Sequence, residues 1–244
     1  MPNIKLTLEY DGTHFFGFQR QRTGRTVQAE LESALKKLFQ KKIKVIASGR
    51  TDSGVHAEGQ VVNFRVHSTL PLYNIQRALN RYLPEDISVL HVETVPSSFH
   101  AQRSAKWKTY EYRVLNSEAR SALQRFQSYR YPYPVSVVKM RQAARLFIGH
   151  RDFRVFEASG GRRKTSVRTI RQFRIEKQGD LIRFTVESNG FLYKMVRRMV
   201  GTLLEIGAGR LRVRDVKQAI TTQNRKLIGP TAPPHGLCLK RVVY

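Results

Sequence analysis

The chain has 244 residues, 41% hydrophobic and 25% charged, a balance typical of a soluble globular protein large enough for one big domain or two modest ones. Lys and Arg total 44 against 18 Asp and Glu, a formal charge of +26; folding asks for no such self-repulsion, and a polyanionic partner is the usual reason it is tolerated. No apolar run approaches the roughly 18 residues of a membrane span, MPNIKLTLEY lacks the features of a signal peptide, and the single cysteine, Cys238, excludes a disulfide scaffold and favours a reducing, cytoplasmic setting.

Residues 4–10 alternate Ile4, Leu6, Leu8 and Tyr10 on one face, the pattern of a half-buried strand. A Gly-punctuated aromatic and basic loop, DGTHFFGFQRQRTGR, follows. Thr26 is placed to cap a helix with Val27, Leu31, Ala34, Leu35 and Leu38 at helical spacing. Strands are expected at 43–47 and 60–66, then a helix over 71–83 opened by Pro71, with Leu72, Ile75, Leu79, Tyr82 and Leu83 inward. Pro84 stops it, and 87–95 is a further strand. The order recurs in outline. Residues 108–115, 170–176 and 181–187 are expected strands, Ser136 is an expected cap for a helix containing Met140, Ala144 and Phe147, and another helix is expected at 194–206. The expected fold is therefore α+β: two similar α/β units with mainly antiparallel sheets flanked by helices. The boundary is placed where charge density changes, giving an N-terminal unit 1–105 and a strongly basic unit 106–244. Residues 1–100 hold 13 basic and 9 acidic side chains; the remainder hold 31 and 9.

Metal and nucleotide motifs are absent. The seven histidines show no HxH or HExxH, one cysteine builds no zinc site, and neither GxxxxGK[ST] nor GxGxxG occurs. Any chemistry is expected to need no cofactor. Gly49-Arg50-Thr51-Asp52-Ser53-Gly54 stands out: two glycines bracket an Asp and permit a tight bend that projects it. A cation such as Arg50 beside a carboxylate favours its charged form, which suits a nucleophile or base; the competing reading is a turn Asp that caps its own backbone. In 108–114, alternation puts Tyr110, Tyr112 and Val114 on one face, as core or as a surface on which a base stacks. In the 194–206 helix, Arg198 falls opposite the apolar face, in solvent. Arg197 falls at that face's edge, either snorkelling to water or paired with a carboxylate. Gly160-Gly161-Arg162-Arg163-Lys164 is either a phosphate-gripping loop or a solvated charged one.

Together these segments resemble the tRNA pseudouridine synthase A family. The resemblance rests on Glu9-Tyr10-Asp11-Gly12, Phe16-Gly17-Phe18-Gln19-Arg20-Gln21, the run Ser48 to Ala57 (SGRTDSGVHA), Gln60-Val61-Val62, Asn80-Arg81-Tyr82-Leu83-Pro84, Phe99-His100-Ala101, Tyr110-Glu111-Tyr112, Thr165 to Thr169, and Phe191 to Arg197. The motifs occur in family order from residue 9 to about 201, with Phe18 where the family usually has Trp. The resemblance implies isomerisation of uridine to pseudouridine at nucleotides 38, 39 and 40 of the tRNA anticodon stem-loop by a cofactor-free homodimer, with the active-site cleft between the two units. It implies Asp52 as the catalytic carboxylate, Arg50 as an aid to base extrusion, Tyr110 stacked on the target uracil and Arg197 paired with Asp52. The carboxylate either attacks C1′, as in a retaining glycosidase, or removes a proton from C2′. Two rival classes are a non-catalytic RNA-binding or ribosome-assembly protein and, more weakly, an RNA nuclease, which would want paired histidines or a metal cluster.

Overall fold

The computed structural model describes residues 1–160 and 165–244. In chain order its elements are β1 (Asn3–Tyr10), α1 (Val27–Phe39), β2 (Ile46–Ala47), β3 (His56–Arg65), α2 (Leu72–Tyr82), β4 (Ile87–Val95), β5 (Trp107–Leu115), β6 (Tyr129–Arg130), α3 (Val137–Arg145), β7 (Gly149–Asp152), β8 (Val167–Gln178), β9 (Leu181–Ser188), α4 (Met195–Gly207), α5 (Val213–Thr222) and β10 (Leu237–Val243). No helix among the described residues is long and apolar enough to cross a membrane. The fold is α+β with mainly antiparallel pairing, as the patterning implied. Two compact units are present, Met1–Lys106 with Cys238–Tyr244, and Trp107–Leu237. The division drawn from charge differs from this at Lys106 and in the last seven residues. They join the first unit because β10 pairs in parallel with β3, Cys238 opposite His56 and Leu239 opposite Ala57.

In the first unit the strand order is β4-β1-β3-β10. Ile4, Leu6, Leu8 and Tyr10 are all buried, so alternation along β1 does mark the core face. β1 runs antiparallel to β3, with Leu6 opposite Val62, and to β4, with Leu6 opposite Val92. The other edge of β3 is shared: β10 takes His56–Ala57, and β2 takes Val62–Asn63. Thr26 caps α1 by accepting from the Ala29 N–H, and Val27, Leu31, Ala34 and Leu35 are buried. Two expectations need correction. Only Ile46–Ala47 of the expected 43–47 strand pairs as one, because the Val45 N–H donates to the Glu32 carboxylate instead of to a strand. Tyr82 is exposed, since it ends α2 and Leu83, already extended, takes the buried place.

In the second unit the order is β5-β9-β8-β7, all antiparallel, with β6 added in parallel to β5. Tyr112 faces Phe184 and Val114 faces Ile182, and all four are fully buried. Ser136 caps α3, which buries Met140, Ala143 and Ala144. Phe147 lies beyond the helix end yet is fully buried, stacked on Phe173 at 5.6 Å and edge-on to Phe156 at 5.3 Å. β7 and α5 had no counterpart in the sequence reading. α5 opens with the Arg212 N–H donating to the Asp215 carboxylate at 2.8 Å, an N-terminal arrangement that satisfies an otherwise orphaned donor.

A strap, residues 229–232, crosses α4 at backbone distance. The Ala232 N–H donates to Arg197 O at 3.1 Å, and the Gly229 N–H donates to Thr202 Oγ1 at 3.0 Å. A Cβ at Gly201 would stand 1.8 Å from Pro230 O, so the crossing requires glycine. Gly201→Ala is therefore expected to lift the strap and to lower stability by about 1–3 kcal/mol, the usual cost of overpacking. Chemical denaturation measures this; an unchanged midpoint would show that the strap shifts freely.

Candidate active site

The Asp52 turn joins β2 to β3 and is built from buried polar groups. Ser48, Thr51 and Gln60 are buried, with Tyr10 from β1 beside them. Ser48 Oγ donates to Gln60 Oε1 at 2.7 Å, and Gln60 Nε2 donates to Gly49 O at 3.0 Å. The Tyr10 and Thr51 hydroxyls lie 2.8 Å apart in a hydrogen bond. Burial pushes the Tyr10 phenol well up, partly offset by its bonds to Thr51 and Gln60, so it is a neutral strut. A satisfied buried network of this kind rigidifies what it holds.

The loop that follows β1 laces over the turn. The Phe18 N–H donates to Thr51 O at 3.1 Å, the Gly54 N–H to Phe15 O at 3.2 Å, and Ser53 Oγ to the same carbonyl at 3.1 Å. The Gly12 N–H donates to His56 Nδ1 at 3.0 Å. Gly17 has φ +89°, and a Cβ there would lie 2.8 Å from Thr51 O; one on Gly12 would lie 2.0 Å from Val55 O. Both glycines exist for close backbone approach. The loop is itself pinned: Arg25 grips Asp86 with two bonds, at 2.5 and 2.8 Å, and lies over the Phe15 ring at 4.3 Å. Asp52 is half-buried on this rigid turn, its carbonyl accepting from the Val55 N–H at 3.2 Å, and Arg50 is exposed two residues before it.

In the second unit, Tyr110 on β5 is buried to 9% exposure and meets Phe191 edge-on, centroids 5.1 Å apart. Tyr112, two residues on, donates its hydroxyl proton to Pro233 O at 2.7 Å. Burial raises its phenol, with the Arg197 charge acting the other way. Arg197 on α4 is buried, and its Nε donates to Ala232 O at 2.7 Å. The strap thus fixes its direction from both backbone and side chain. Arg198 is not in solvent as its helical position implied. Its guanidinium donates to Glu157 O at 3.0 Å and Val155 O at 3.3 Å, and burial draws its pKa below the usual range. The segment after β7 folds over that side of the helix, which helical spacing does not reveal. Arg162, Arg163 and Lys164 lie outside the described residues.

Within one unit, then, Arg50 and Asp52 share one turn; within the other, Tyr110 sits on β5 and Arg197 on α4, where its charge acts on the Tyr112 phenol. Sequence reasoning placed Gln60 and His56 in family motifs without giving either a role, and it missed the strap. The available signal was the pair Gly12 and Gly17 in an otherwise bulky aromatic loop, which asks what backbone comes close.

A family model described as tRNA pseudouridine synthase matches residues 7–102 and 143–244. The chain is 45% identical to tRNA pseudouridine synthase A 2 of Clostridium perfringens, over the whole of both chains. It is 43% identical to tRNA pseudouridine synthase A of Acetivibrio thermocellus, again over both full lengths. Against tRNA pseudouridine synthase A of Halalkalibacterium halodurans it is 46% identical, over 97% of this chain and 90% of that one. Among solved structures, a Cbf5-Nop10-Gar1 complex aligns with 97% of this chain and 48% of that chain, at 13% identity and a TM-score of 0.43. With a matching model over most of its length and full-length relatives at these identities, the chain belongs to the tRNA pseudouridine synthase family, whose members are isomerases.

Proposed function

We propose that the chain converts uridine to pseudouridine at nucleotides 38, 39 and 40 of the tRNA anticodon stem-loop, using the Asp52 carboxylate and no cofactor. The observation that carries this reading is the construction of the Asp52 turn: a carboxylate projected from a glycine-bracketed bend whose backbone is bonded on both sides and backed by a buried network. Such preorganisation is what a group needs if it is to act at one atom of a bound substrate.

The reaction breaks the bond between ribose C1′ and uracil N1, turns the base, and forms a bond from C1′ to C5. The proton at C5 is given up, and N1 regains one, so reactant and product have the same atoms. One carboxylate near the sugar suffices for the exchange, as covalent or proton-transfer partner. The detached uracil must be kept from water and held in place. Tyr110, a buried aromatic braced by Phe191, is the surface on which it stacks. The target base starts within a stack, and flipping it costs a few kcal/mol. Arg50, exposed on the same turn as Asp52, assists that extrusion by replacing lost interactions. Arg197, directed by the strap, pairs with the Asp52 carboxylate. Arg162, Arg163 and Lys164 grip backbone phosphate, the enzyme acts as a homodimer, and its setting is cytoplasmic.

Asp52→Asn is expected to abolish tritium release from tRNA carrying 5-tritiated uridine, with a loss of about 10³-fold or more, while tRNA binding persists. Turnover like that of the unsubstituted chain would refute the assignment. Chemical mapping of pseudouridine in the product separates an isomerase from a protein that only binds RNA. Arg197→Lys keeps the charge and loses the planar fork, and is expected to lower kcat by about 100-fold with little change in KM, the scale set by misplacing a reacting group by an ångström. Gly17→Ala is expected to lower kcat by about 10-fold or more, because a strained residue pressing on Thr51 O shifts the Asp52 turn. An unaltered kcat in a folded Gly17→Ala protein would show that the loop does not position the carboxylate. Replacing Arg162, Arg163 and Lys164 together is expected to weaken tRNA binding and flatten its salt dependence; an unchanged salt slope would show that this loop does not touch phosphate.

A further inference from the structure

The first unit carries a groove of about 840 Å³ at the end of β3 away from the Asp52 turn. Its walls come from three stretches of chain, 41–46, 63–67 and 97–104, with Met1 at the edge. Lys41, Lys42, Lys44, Arg65 and Arg103 line it, and no Asp or Glu does. All five cations are exposed, and none makes an ion pair among the described residues. Some cations elsewhere in the same unit are matched: Lys5 with Glu93, Arg20 with Glu32, and Arg25 with Glu30 and Asp86. Five like charges crowded into one concave surface oppose folding unless something outside the chain answers them.

Two features aim this charge. Arg65 donates from Nη2 to Ser97 O at 2.7 Å, which holds its guanidinium at the junction of two of the walls. The turn bearing Arg103 is set by His100, whose Nδ1 accepts from the Gln102 N–H at 3.2 Å and the Arg103 N–H at 3.3 Å. Ser97 and Ser98 add exposed hydroxyls along the wall. Cations spread along three segments suit a succession of phosphates better than one compact anion, and contacts of this kind position an RNA without reading its sequence.

We propose that this groove holds backbone phosphates of the same tRNA whose uridine reacts at Asp52, at a part of the molecule remote from the target nucleotide. The separation follows from two stretches of chain: His56 and Arg65 mark strand ends about 30 Å apart, and Ile46 on the groove's nearer wall is six residues, at most about 20 Å, from Asp52. The Arg65 end lies beyond a target nucleotide and its immediate neighbours, so filling the whole groove takes a larger substrate. The assignment of the substrate rests on the isomerase reading given above; the groove's affinity for RNA is measured independently of turnover.

The test compares full-length tRNA with a minimal hairpin that carries the target uridine on a short stem, using equilibrium binding across 50–200 mM salt. In the triple substitution Lys41→Gln, Lys42→Gln, Lys44→Gln, the preference of the protein for full-length tRNA over the hairpin is expected to shrink by about 10-fold or more, and the salt slope for full-length tRNA to fall by about 2 to 3. The charge-preserving set Lys41→Arg, Lys42→Arg, Lys44→Arg is expected to retain both preference and slope, which separates lost charge from a disturbed fold. A triple glutamine variant with the original preference and slope would overturn the proposal, and so would inorganic phosphate at millimolar concentration displacing full-length tRNA as effectively as it displaces the hairpin from the unsubstituted protein. Pseudouridine mapping on the unsubstituted protein's product reports separately on the isomerase. A lost slope together with an unmodified product would keep the groove and remove the reaction.

Discussion

Gly12 and Gly17 stand where the backbone of residues 51–55 leaves no room for a side-chain carbon, and the candidate site depends on that contact. A turn exposing a carboxylate is soft by nature, because few of its own backbone groups bond to one another. Here its carbonyls and N–H groups are taken up by the loop after β1, through Phe15 and Phe18, while Gln60 supports it from β3. The loop is held in turn by Arg25 on Asp86, so the carboxylate's position is set by segments as distant in sequence as residues 12, 52 and 86. Enlarging either glycine would act on the site without touching any group that meets substrate.

The second unit repeats this device with different parts. Gly201 lets the 229–232 strap lie against α4, and that contact puts Ala232 where its carbonyl accepts from the Arg197 Nε and its N–H donates to the Arg197 carbonyl. A long side chain loses up to about 2 kcal/mol of rotamer freedom when fixed. Fixing it during folding, rather than when substrate arrives, moves that loss out of the reaction. In both units a missing Cβ serves as the means of preorganisation.

The elements legible in the sequence are those whose order is local. β1, β5 and β9 alternate, α1 and α3 carry caps and helical spacing, and α4 carries helical spacing. β6 and β10 are two and seven residues long and exist because distant strands accept them, so nothing within them announces a strand, and of the stretch expected at 43–47 only Ile46 and Ala47, the residues that β3 accepts, form β2. The same distinction holds in the site. Asp52, Arg50, Tyr110 and Arg197 stood out through residue type and motif. Gln60 stood in a motif, but its supporting role was unreadable because its partners are Ser48, Gly49 and Tyr10, up to fifty residues away. Arg198 was misread because the helical wheel fixes a direction and says nothing of the loop that covers it.

Net charge shows the same limit in electrostatic form. Residues 1–100 carry 13 cations and 9 anions, nearly balanced beside the rest of the chain, and composition alone makes that stretch a poor partner for a polyanion. Folding sorts these charges. Four of the acids, Glu30, Glu32, Asp86 and Glu93, pair with Lys5, Arg20 and Arg25, and the lysines at 41, 42 and 44 and Arg65, joined by Arg103 just beyond this stretch, line a surface without an acid. A phosphate within a Debye length, about 8 Å at physiological ionic strength, responds to that local surface and hardly at all to charges farther off. Sorting by the fold, more than the total, therefore decides where the chain attracts RNA, and a nearly balanced half can hold as definite a phosphate surface as a strongly basic one.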